Sequence, residues 1–115
     1  MLFLHRNIVN RTQWEIPGGK VEKHESVENA AIREARKELG IEIKIIKELG
    51  NMNFCEDNNI MNYTWFLIAI NAGIPEIIEK DKFDILKYWS LSELKFIVSE
   101  LSPNTQIFLN SVDLE

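Results

Sequence analysis

The sequence predicts an α/β (α+β) domain, a sandwich of helices on a mixed β-sheet. Three observations carry this. Val27 to Leu39 is a run of helix formers between helix-stop signals. The segments after it alternate or are rich in β-branched and aromatic residues. The order along the chain is strand, loop, long helix, several strands, helix. A length of 115 residues suits a single domain, 1–115, and 45% hydrophobic content is enough for a core.

The elements follow in order. "LFLH" reads as a short strand, and "NRTQWEIPGGKVEKHES" as a loop with Pro17, Gly18 and Gly19 in its middle. Ser26 is placed to cap a helix over Val27 to Leu39, and Gly40 falls where a C-terminal glycine belongs. In "IEIKIIKEL", Ile41, Ile43 and Ile45 alternate with Glu42 and Lys44, which is strand periodicity, and "NMNFC" continues it. "EDNN" is a turn, and "NYTWFLIAI" a buried strand. Gly73 and Pro75 turn the chain into a charged loop, "EIIEKDKFD". "KYWS" then reads as a short strand and "LSELKFI" as a short helix. Pro103 opens a last helix at its first position, with Ile107 and Phe108 as its apolar contacts.

Composition narrows the function. A net charge of −5 disfavours binding to long nucleic acids, which takes dense Lys and Arg. A small phosphate ligand stays open, because a divalent cation can join it to an acidic pocket. No uncharged apolar run is long enough to span a membrane, and "MLFLHRN" lacks the pattern of a secretory leader. A lone cysteine, Cys55, cannot form an internal disulfide, so a reducing, cytoplasmic setting is the expectation.

The chemistry is concentrated in "REARKELG". With about 100° and 1.5 Å per helical residue, Glu34 and Glu38 lie about 40° apart and one turn from each other. Two carboxylates so placed can reach one hard cation. The same spacing also describes a solvated helix face, and Pro17-Gly18-Gly19 also describes a plain turn.

Taken together, "GKVEKHESVENAAIREARKELGI", Gly19 to Ile41, resembles the Nudix box, Gx5Ex7REUxEExGU with U apolar. Gly19, Glu25, Arg33, Glu34, Glu38, Gly40 and Ile41 match, Ala35 fills the first apolar slot, and "WEIPGG" resembles the flank of MutT-like members. The resemblance implies a Nudix α/β/α sandwich that hydrolyses a nucleoside diphosphate linked to X, with a nucleoside triphosphate as the small-molecule substrate. It implies Mg²⁺ or Mn²⁺ as cofactor. Glu34, Glu38 and the Gly18 carbonyl would be metal contacts, with Glu34 also a candidate general base. Glu25 and Arg33 would brace the loop against the helix. Glu79, with Glu76 as rival, stands where an extra catalytic Glu is found. Arg6 and Gly19 could meet phosphate. Trp14 could stack on a base or anchor the loop in the core. Asn104 could read a base edge or simply face solvent.

Two departures stand out. The box calls for Glu at position 37, where this chain has Lys37. Unit charges about 4 Å apart interact by roughly 4 kcal/mol at an effective dielectric of 20, so an ammonium there opposes a cation. Either Lys37 turns its charge into water, leaving a hydrolase, or it pairs with Glu34 in the cation's place, leaving a nucleotide-binding or regulatory module. The second departure is that similar chains carry one more strand before the one "LFLH" resembles. Its loss would bare a strand edge, and the expectation is that a loop or another chain, as in a homodimer, covers it.

Overall fold

The computed structural model describes residues 1–111, and the last four residues of the domain expected over 1–115 lie outside them. The strands are β1 (Leu2–Ile8), β2 (Arg11–Glu15), β3 (Glu42–Glu56), β4 (Asn59–Ala72) and β5 (Phe83–Tyr88). The helices are α1 (Val27–Leu39), α2 (Leu91–Leu94) and α3 (Pro103–Ser111), with a 3-10 turn over Val98–Glu100.

A three-stranded sheet runs β2-β1-β5, and β3 pairs with β4 in a separate long hairpin. All three pairings are antiparallel. The one parallel element among the described residues is an isolated bridge from Trp14 to Leu101, so the mixed character expected of the sheet is confined to that contact. Among the described residues β1 is paired along both edges, and β4 is paired with β3 alone.

Two elements differ from the sequence expectation. "RTQWE" forms β2 rather than loop, because Asn10 takes a left-handed φ of 72° and folds the chain back on β1. The strand expected at "KYWS" begins earlier, at Phe83. Phe83 is its one buried residue, and the charged neighbours face water. The "EDNN" turn closes on Asp57 and Asn58, both with positive φ, and Arg11 donates to Asp57 across the gap between the two hairpin tips.

Alternation along β1 builds the layers. Leu4 joins Ala35, Leu39, Ile41 and Phe83 in the core beneath α1. Its neighbour Phe3 points the other way and packs with Trp14, Leu94 and Leu101. α1 begins and ends where its caps dictate: the Ser26 hydroxyl accepts from the Asn29 N–H at 3.1 Å, and Gly40 closes the helix at φ 67°. α3 is tied back to the sheets. Trp65 Nε1 donates to Asn104 Oδ1 at 2.7 Å, the Ser102 N–H to the Trp14 carbonyl at 2.8 Å, and the Ile16 N–H to Thr105 Oγ1 at 3.4 Å.

Candidate active site

The buried side of α1 faces the Pro17–Gly19 bend, and there the surface sinks into a cavity of about 410 Å³. Arg6, Gly18, Gly19, Glu34, Glu38 and Glu79 line it, together with Arg33, Lys37 and Lys82. Residues far apart in sequence thus meet beside Glu34 and Glu38.

Glu34 and Glu38 are 7% and 4% exposed, unusual for carboxylates, so neither belongs to a solvated face. Each has a donor. The Arg33 guanidinium gives Nη1 to Glu34 Oε1 at 2.6 Å, and the Gly18 N–H donates to Glu38 Oε1 at 2.8 Å. Burial pushes the Glu38 carboxyl up to about 8, the Gly18 N–H opposes it, and the charges of Glu34, Glu15 and Glu79 raise it further. Several negative charges therefore converge on a low-dielectric spot.

Gly19 is there for space. A β-carbon on it would lie 2.5 Å from Glu34 Cδ and 2.7 Å from each carboxylate oxygen, whereas one on Gly18 would meet nothing within 4 Å. The bend and the helix interlock at Gly19, and Gly18 supplies its N–H.

Arg33 is the hub. Its guanidinium donates to both Glu25 oxygens, at 2.8 and 3.0 Å, to Glu34, and to the Lys20 carbonyl at 2.8 Å. These hydrogen bonds raise the Arg33 pKa and hold the half-buried Glu25 carboxyl below its usual range. One planar fork pins the loop to α1. Arg6 reaches the cavity from β1, held by Nε and Nη2 to Glu15 at 3.0 and 2.8 Å and lying 4.8 Å over the Phe83 ring. Glu79 pairs with Lys82 at 3.2 Å.

Two candidate substrate contacts do not line the cavity. Trp14 is 7% exposed, packed with Phe3 and Leu101 and edge-on to Trp89, so it has no face for a base and anchors the strand in the core. Asn104 lies outside the cavity with its amide oxygen committed to Trp65, so it ties helix to strand. Lys82, Lys20 and Glu15 are additions. Only Lys82 carried a signal, its i,i+3 spacing from Glu79. Lys37 is exposed and makes no ion pair with Glu34, whose partner is Arg33.

The donor set suits a divalent cation. Among the described residues no three acidic, His or Cys side chains are grouped as a cage. A hard cation that keeps its waters needs only one or two carboxylates plus phosphate oxygens, and Glu34 and Glu38 provide two.

A family model described as "NUDIX domain" matches residues 1–108. The chain belongs to that family. Among curated relatives, this NUDIX chain is 31% identical over 78 residues to "8-oxo-dGTP diphosphatase" of Buchnera aphidicola, covering 68% of this chain and 63% of that protein. A shorter match, 51% over 37 residues, joins it to "Putative 8-oxo-dGTP diphosphatase YtkD" of Bacillus subtilis, over 32% of this chain and 23% of that one. The chain thus spans less than two thirds of the length of the curated relatives it matches. Of solved structures, the MutT NUDIX hydrolase from Burkholderia pseudomallei superposes with a TM-score of 0.78 at 28% identity, over 97% of this chain and 87% of that one. The MutT protein from Methanosarcina mazei Go1, at 0.75 and 23%, covers 95% and 79% and speaks for the fold alone.

Proposed function

We propose that this NUDIX chain is a metal-dependent pyrophosphohydrolase of nucleoside diphosphates linked to X, with a nucleoside triphosphate as its substrate. An oxidised purine triphosphate is the first candidate, because two relatives carry the name 8-oxo-dGTP diphosphatase. The observation that carries the reading is the buried pair Glu34 and Glu38 facing the Gly18–Gly19 bend inside a cavity rimmed by cations.

The residues divide the work. Glu34 and Glu38 would hold Mg²⁺ or Mn²⁺, which when bound would neutralise charge on the phosphate oxygens and acidify water. The Gly18 N–H orients Glu38, while Arg33 and Glu25 fix the distance between loop and helix. Arg6 presents a cation from the sheet side, kept in place by Glu15. Glu79 is the proposed acceptor of a proton from the attacking water, and Lys82 donates to it at 3.2 Å. Water would attack a phosphorus of the anhydride, giving a nucleoside monophosphate and pyrophosphate.

The test is a panel of nucleoside triphosphates, oxidised and unoxidised, with Mg²⁺ or Mn²⁺, read as pyrophosphate release. E34Q and E38Q should each lose the activity. No release from any nucleotide by the native chain would refute the reading.

A further inference from the structure

The cavity has more cations than its own acids use. Arg6 is paired with Glu15, Arg33 with Glu25 and Glu34, and Lys82 with Glu79. Lys20 and Lys37 also line the wall, yet among the described residues neither ammonium makes an ion pair or hydrogen bond. Both are exposed, as lysine usually is, but they stand on a concave wall rather than a convex surface.

Their positions are specific. Lys37 follows Glu34 by three residues and precedes Glu38 by one, so its flexible stem starts beside the carboxylate pair on α1. Lys20 follows Gly19, the residue whose missing side chain makes room for the Glu34 carboxylate. One free ammonium thus flanks the pair from the helix and the other from the loop. The acids between them already have donors, so an entering anion meets two charges that nothing else holds. An ammonium is a strong point-charge partner for phosphate oxygens. On a chain of net charge −5, such a patch also marks a wall that an anion would be drawn to.

We infer that Lys37, assisted by Lys20, binds the polyphosphate of the ligand directly, giving this site an affinity for pyrophosphate-bearing anions that does not depend on a divalent cation. The inference rests on the hydrolase reading for the identity of the ligand. It turns the lysine in the box from a defect into a phosphate contact.

Inorganic pyrophosphate is titrated calorimetrically into the full chain in EDTA at low salt. The native chain should bind it. K37Q should weaken binding about tenfold, the loss of one charge-assisted hydrogen bond, and K20Q by less. K37R should retain most of the affinity. K44Q, on β3 and away from the cavity, should bind as the native chain does. No binding in EDTA, or equal affinity in native and K37Q chains, overturns the inference. If the native chain still releases pyrophosphate from a triphosphate in that case, the hydrolase reading survives alone. If it hydrolyses nothing yet K37Q loses pyrophosphate, the lysine contact stands and the hydrolase reading falls.

Discussion

Gly18→Ala and Gly19→Ala differ by one methyl group at adjacent positions, and the structure assigns them opposite outcomes. Carbon atoms rest about 3.5–4.0 Å apart. The added carbon at Gly19 would lie 2.5 Å from Glu34 Cδ, so carboxylate or bend must yield by about 1 Å. The carboxylate cannot move freely, because it is buried and held by Arg33 at 2.6 Å. Losing a charge-assisted hydrogen bond costs roughly 1.5–3 kcal/mol, and a misplacement of this size costs roughly a hundredfold in rate. Gly18→Ala meets nothing within 4 Å, keeps its N–H on Glu38, and has no positive φ to strain it. Steady-state nucleotide hydrolysis, with a thermal melt of each variant, is the assay. G19A should lose about a hundredfold in kcat and melt several degrees lower, while G18A stays within about twofold of the native chain. A fully active G19A, or two equally damaged variants, would refute the account of the interlock.

Other outcomes follow from the same geometry. Arg33→Met should cut activity at least tenfold, and Arg33→Lys should restore little, because an ammonium cannot reproduce the fork that reaches Glu25, Glu34 and the Lys20 carbonyl; hydrolysis rates of the two variants check this. Glu38 bears on pH: its carboxyl rises from the ordinary 4.5 to about 8 on folding, so the folded chain holds a proton that the unfolded chain has released between those values. Metal-free stability should therefore fall as pH rises from about 5 to 8, by at most about 1.4 kcal/mol per pH unit. E38Q should flatten that slope in urea melts run in EDTA; an unchanged slope would assign it elsewhere. Leu39→Ala opens the core under α1, where the side chain is 2% exposed, and should cost about 2–5 kcal/mol in a denaturant titration.

The parts of the fold written locally were legible. α1 could be read to the residue because Ser26 and Gly40 mark its ends, and the helical spacing put Glu34 and Glu38 on one face without saying that it is buried. β2 was hidden because it is an outer strand with one buried residue, Trp14, among polar ones, so its pairing is set by the Asn10 turn rather than by alternation. β5 was displaced for the same reason, with only Phe83 fully buried in a charged stretch. Trp14 shows what proximity in sequence conceals. Its neighbour Glu15 turns to Arg6, but alternation sends the indole to the opposite core. Lys82 was announced only by its spacing from Glu79, and Glu15 acts through Arg6, a pairing across two strands that no short-range pattern announces.

The stitches from α3 have a consequence for biosynthesis. The strand that leads into the glycine bend is fastened from behind by Ser102 and Thr105, residues synthesised more than eighty positions after it. On the ribosome, chains emerge from the N-terminal end, so the helix carrying Glu34 and Glu38 exists well before the segment that secures the opposite wall. A nascent chain holds the acids without the rear fastening, and the cavity reaches its final shape only after Ser102 and Thr105 have been made.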